Sequence, residues 1–150
     1  MASCRNGFTC MGSQMKRATA EWVRKAEGDW AAARRLGSQK PPIYEVACFC
    51  CQQTVEKYSK ALLEEQGMPV PRIHKLEDLV DPLVRQDASL RAFRKEVKGL
   101  NKYAVEIRYP KTRAGARSFQ SALLVARRVR KEVRRRLGLP MRASHKRKSP

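Results

Sequence analysis

Apolar residues at intervals of three and four recur in five separate stretches of this chain, and glycine or proline closes nearly every one. That rhythm marks one face of an α-helix, which turns once in about 3.6 residues. Cys48, Cys51, Val55, Tyr58 and Leu62 carry it between Ile43 and Gln66, before Gly67, Pro69 and Pro71. Trp22, Ala26, Trp30 and Ala33 carry it between Lys16 and Leu36, before Gly37, Ser38 and Pro41-Pro42. Leu76, Leu79, Val80 and Leu83 form a shorter stretch from His74 to Val84. Leu90, Phe93, Val97, Leu100, Ala104 and Ile107 alternate strictly from Ala88 to Ile107, ahead of Pro110. Phe119, Ala122, Ala126, Val129, Val133 and Leu137 do the same from Arg117 to Leu137, ahead of Gly138 and Pro140. No strand-like alternation bounded by turns and no internal repeat is present. The expected fold is all-α: an antiparallel bundle of four long helices plus one short helix.

A chain of 150 residues fits a single domain. The periodic stretches place the bundle at residues 16–138. Residues 1–15 have no periodicity and read as a disordered leader, and residues 139–150 as a basic disordered tail. No run of eighteen apolar residues exists, so no membrane span is expected. Met1 to Met15 lacks the apolar core of a signal peptide. A cytoplasmic protein without membrane association is the expectation.

The net charge of +19 is unevenly placed. Residues 111–148 hold 14 basic residues against one acid, Glu132, out of 33 basic and 14 acidic residues in all. A basic C-terminal third attracts phosphates, on a nucleic acid or a nucleotide; a solvated helix face with a charged tail has the same composition. Cys48, Cys50 and Cys51 crowd one helix, while Cys4 and Cys10 lie in the leader. A zinc site needs a second ligand pair, and none follows at suitable spacing. A redox pair needs a βαβ setting. The cysteines therefore read as core thiols, and neither a metal nor a cofactor is expected.

The second helix opposes its apolar stripe with Gln53, Glu56, Lys57 and Lys60. Lysines and amides together can hold a phosphate or a base. A surface ion pair is the simpler reading, because Glu56 precedes Lys60 by four residues in the favourable orientation. Phe49 falls on this polar side, where an exposed ring suggests contact with another chain. Asp29 falls inside the apolar stripe of the first helix, so a cation should meet it. Arg108 and Tyr109 stand at a helix end before Pro110, offering a charge and a stacking face. Arg108 can serve helix-end carbonyls or an anion. His74 stands at the start of the short helix, as a cap, a packing residue or an acid–base group. Phosphate-loop, dinucleotide and zinc-protease motifs are absent.

In order along the chain, these pieces resemble the HEPN family (higher eukaryotes and prokaryotes nucleotide-binding). Ala26-Glu27-Gly28-Asp29-Trp30 with Ala33 resembles its first helix. Gln52-Gln53-Thr54-Val55-Glu56-Lys57 with Lys60-Ala61-Leu62 resembles its Q-Q-x-x-E-K-x-x-K-A-L signature. His74-Lys75-Leu76 with Leu79 resembles its H-x-L-x-x-L element, and Arg108-Tyr109-Pro110 its R-Y-P. The resemblance implies a bundle that forms homodimers with a cleft between subunits. Many members act beside a minimal nucleotidyltransferase, in toxin–antitoxin or nucleotide-binding pairs. Others are metal-independent ribonucleases built on R-x4–6-H. No arginine–histidine pair here has that spacing: the positions five to seven residues after Arg108 are Arg113, Ala114 and Gly115.

Three functions follow as expectations. The favoured one is a non-catalytic module without a cofactor, whose binding residues for a nucleotide or a partner nucleotidyltransferase are Asp29, Gln53, Glu56, Lys57, Lys60, Arg108 and Tyr109. The second is a ribonuclease using Arg108 and His74. The third is a nucleic-acid-binding protein using the basic last helix and tail.

Overall fold

The computed structural model describes residues 14–141. The expected leader up to residue 13, with Cys4 and Cys10, and the tail from residue 142, with His145, lie outside the described residues. Among those described there are six α-helices and no strand. They are α1 (Arg17–Ser38), α2 (Tyr44–Glu65), α3 (Leu76–Gln86), α4 (Arg91–Lys98), α5 (Lys102–Val105) and α6 (Ala116–Arg136), with single 3-10 turns at Ala88–Leu90 and Glu106–Arg108.

Helix α2 runs through the middle of the bundle, touching α1, α3, α5 and α6. Its central place explains its burial. The expected stripe of Cys48, Cys51, Val55, Tyr58 and Leu62 is almost fully enclosed, and so are Ala47, Ala61 and Leu63 on other sides of the cylinder. Burying one such large apolar side chain contributes roughly 1.5–3 kcal/mol. The stripes of α3 and α6 are buried as expected, while Trp22 of α1 stays only half-buried at the edge of the core. Helices α2 and α6 both end on a glycine in the left-handed region, Gly67 and Gly138, each at φ +67°. There the backbone turns back to satisfy the last carbonyls: Met68 N–H donates to Leu63 O at 3.0 Å, and Leu139 N–H to Arg134 O at 2.8 Å.

The stretch from Ala88 to Ile107 differs from expectation. Its apolar spacing is that of one long helix, but the helix breaks at residues 99–101. Gly99 has weak helix propensity, and the Asn101 side chain has a competing use. Its Oδ1 accepts from Leu76 N–H at 3.0 Å, at the first turn of α3, and its amide donates to Glu77. Asn101 thereby caps another helix instead of extending its own.

Helix α1 also runs further than its sequence suggests, through Gly37 to Ser38. Gly37 is needed for contact, because the far edge of the Phe119 ring packs against it. A Cβ at position 37 would stand 2.1 Å from Phe119 Cζ. Gly37→Ala should therefore destabilise the protein by about 1–3 kcal/mol in urea unfolding, despite the better helix propensity of alanine. An unchanged or raised midpoint would show that the ring moves aside freely.

Candidate functional site

The polar side of α2 is not a solvated face. Where α3's leading loop and α1 cover it, Glu56 and Lys60 retain only 3% and 6% exposure. The correction follows from α2 being central: a charged face packed on all sides must have its charges met inside. Glu56 is the meeting point. Its Oε1 accepts from Lys60 Nζ at 3.0 Å, and its Oε2 accepts from the amides of Gln52 at 3.2 Å and Gln53 at 3.3 Å. His74 Nδ1 lies 3.1 Å and 3.2 Å from the two oxygens. Gln52 also reaches the His74 carbonyl at 3.4 Å, and Gln53 donates to Gln52 at 2.7 Å. Lys60 Nζ sits 5.4 Å from the Trp22 ring centroid, so the ammonium has a carboxylate on one side and a π face on the other. Burial by itself pushes the Glu56 carboxyl upward; hydrogen bonds from Lys60 and Gln52, the Lys60 charge and the His74 contact outweigh it. The net pKa lies below the usual carboxylate range.

Asp29 is paired, as its place in an apolar stripe requires. Its partner is Lys57, with both side chains 22% exposed. A second charged cluster joins α1, α2 and α6. Glu27 accepts from Tyr58 Oη at 2.8 Å, from Arg130 Nη2 at 2.9 Å and from Arg134 Nη1. Two guanidiniums on one carboxylate leave a surplus positive charge. It is met by backbone: Arg134 Nε donates to Pro140 O at 2.8 Å and Arg130 Nη1 to Met141 O at 3.1 Å. The first residues of the expected tail are thus tied to α6. Arg134, one of the cations of the basic last helix, is 5% exposed.

Arg108 and Tyr109 lie elsewhere. Both are exposed, Tyr109 at 62%. Arg108 lines a cleft of about 250 Å³ with Glu45, Val46, Phe49 and Ile107. It joins no hydrogen bond or ion pair with Asp29, Gln53, Glu56, Lys57 or Lys60. Phe49 is the link between the two groups: Gln53 and Lys57 follow it at intervals of four on the same helix face, so Lys57 lies about 12 Å further along the axis. His74, 72% exposed at its side chain, lines a neighbouring cleft of about 200 Å³ with Lys75, Asn101, Ala104 and Val105. His74 and Arg108 therefore stand beside opposite ends of the short segment from Ala104 to Arg108.

A family model for the HEPN domain matches residues 19–136. The chain belongs to the HEPN domain family. Its structure is similar to that of TT1696 from Thermus thermophilus, with 28% identity and a TM-score of 0.69. That match covers 81% of this chain and 100% of the other. No curated protein matches. HEPN membership agrees with the all-helical bundle, and no helix among the described residues is long and apolar enough to cross a membrane.

The three described cysteines of this HEPN domain are buried in the core. Burial raises the Cys48 thiol to about 11 and Cys51 further still, which suppresses the thiolate. Among the described residues no cluster of metal-ligating side chains forms. Sequence reading passed over two contributors. Gln52, fully buried, had a signal in the paired glutamines. Glu27 had only its place beside core residue Ala26, because its partners lie 31, 103 and 107 residues away.

Glu56 makes a pH test available. A depressed folded-state pKa gives stability that is present above the unfolded value of 4.5 and lost as pH falls through the folded value. Glu56→Gln should cost roughly 1–3 kcal/mol at pH 7 and progressively less below pH 4.5 in denaturant titrations. A deficit that stays constant down to about pH 3 would show that the Glu56 charge contributes nothing.

Proposed function

We propose that this HEPN domain is a non-catalytic binding module that acts as a homodimer. It holds a nucleotide phosphate or docks a minimal nucleotidyltransferase through the surface around Phe49 and Arg108. The observation that carries this reading is Arg108 itself, an exposed guanidinium facing an apolar cleft and paired with no acid among the described residues. An unneutralised guanidinium beside a ring suits a phosphate and its base, or a partner's carboxylate. Around it Val46, Val105 and Tyr109 are exposed at 46%, 56% and 62%. Glu45 on the same cleft supplies the opposite charge, so two copies related by a two-fold axis could place each Arg108 against the other's Glu45. In this reading Asp29, Gln53, Glu56, Lys57 and Lys60 fix α2 in place, and Arg108 and Tyr109 make the contact. Buried thiols suit a reducing, cytoplasmic setting.

Light scattering should give a dimer that Val46→Asp dissociates. ATP or GTP should raise the melting temperature, and Arg108→Ala should abolish that rise. A protein with no nucleotide response, from which no nucleotidyltransferase co-purifies, would sink the proposal.

One observation favours a metal-independent ribonuclease as the second reading. With its Nδ1–H donated to buried Glu56, His74 turns its other ring nitrogen toward solvent, the orientation a general base needs. Incubation with RNA in EDTA separates the two. The first reading expects no cleavage; cleavage reduced about 100-fold or more by both His74→Ala and Arg108→Ala establishes the second.

A further inference from the structure

Helix α6 carries eight cations and one acid, and packing sorts them. Arg130 and Arg134 turn inward to Glu27. Arg136 is enclosed between Asp87 and Glu132. Arg128 and Arg135 pair with Glu96 and Glu132 yet keep side chains 55% and 63% exposed. Arg117, Arg127 and Lys131 are exposed and meet no acid among the described residues. Arg127, Lys131 and Arg135 follow one another at intervals of four, so they form a line of positive charge with steps of about 6 Å.

Beside this line runs a groove of about 490 Å³ between α6 and the C-terminal end of α1. Phe119 and Leu123 form its floor and Arg34 and Arg35 its wall; no carboxylate lines it. Arg34 lies 5.9 Å from the Trp30 ring, while Arg35 has no acid among the described residues. Arg127 stands one turn beyond Leu123 on α6, at the groove's end of the charged line.

A compact anion needs donors that converge on one point, but these cations are strung along a helix. That arrangement matches a polyanion, whose binding releases counterions at each neutralised phosphate. A membrane surface would ask for a continuous apolar face, and Leu124 is the one large apolar side chain exposed on α6. An apolar-floored groove can receive a flat base, which a duplex keeps stacked inside and a single strand leaves available. We propose that α6 and the end of α1 form a binding surface for single-stranded nucleic acid. Phosphates follow Arg127, Lys131 and Arg135, and a base enters the groove beside Arg35. The surface shares no residue with the Phe49–Arg108 cleft and does not depend on its function.

The experiment is fluorescence anisotropy on the full chain with short RNA and DNA single strands and the matching duplex, titrated with salt. Substituting Arg35, Arg127 and Lys131 together by alanine should weaken single-strand binding at least about tenfold. It should also reduce the slope of log K against log salt by about 1.4, near 0.7 for each of the two lost phosphate contacts at Arg127 and Lys131. Substituting Arg91, Lys95 and Lys98 on α4 removes the same charge elsewhere and should leave affinity within about twofold. Binding by either single strand supports the surface, and their ratio names the sugar it prefers. The proposal is overturned if the parent chain binds no strand, if both triple variants lose affinity equally, if neither does, or if the duplex binds more tightly. Circular dichroism of both variants confirms that the fold persists. The readout is separate from dimerisation and nucleotide response, so either proposal can fail alone.

Discussion

The buried carboxylate of Glu56 is the constraint on which the arrangement of the bundle depends. The middle of this central helix leaves little side-chain surface to solvent, so the polar residues there must find partners among their neighbours. Glu56 meets this requirement with Lys60 and two glutamines from its own helix and with His74 from the loop before α3. Those bonds fix where α3 begins. The same demand recurs one helix over, where Asp29 of α1 must meet Lys57. The registers of α1, α2 and α3 are thus set by ionic contacts as well as by apolar packing. Removing one member of such a buried group leaves a charge unpaired, which costs more than an exposed pair would ever contribute.

The helices themselves were legible in the sequence because burial on one side of a helix imposes a period, and the period survives in the residues. Cys48, Cys51, Val55, Tyr58 and Leu62 are enclosed as their spacing implies, and so are the six stripe residues of α6. The break at Gly99–Asn101 was not legible for the same reason. Apolar spacing reports which side faces the core, and that side is unchanged when a helix is cut and restarted. The cut comes from the Asn101 side chain capping α3, a contact between elements that no local pattern encodes. Gly37 is similar. Its residue type suggests a stop, while its use is to admit the Phe119 ring from a helix more than seventy residues away.

The candidate site divides along the same line. Asp29's need for a cation could be read from its position, since a carboxylate in an apolar stripe has few alternatives. That Glu56 and Lys60 would be buried could not, because a single helix shows its own two faces but not how many neighbours cover them. Arg134 carries the opposite lesson. Its place among a run of arginines reads as surface, yet Glu27 and Tyr58 hold it inside. A run of like charges in sequence is therefore not one physical object: in α6 some of its members brace the core and others face water.

This sorting bears directly on where a ligand could be held. A charge already matched by a buried partner offers an incoming anion little, because binding would first have to break an interaction formed at low dielectric. The signature lysine Lys60 is in that position, and Lys57 is matched by half-buried Asp29. Arg108, Arg127 and Lys131 are not: solvent is their present partner, and an anion that replaces it displaces water and counterions only. On the reading proposed above, the most distinctive stretch of the sequence, on α2, serves function by holding the scaffold. The two proposed binding surfaces accordingly rest on cations that the sequence pattern marks far less clearly, at the end of the α5 segment and along the outside of α6.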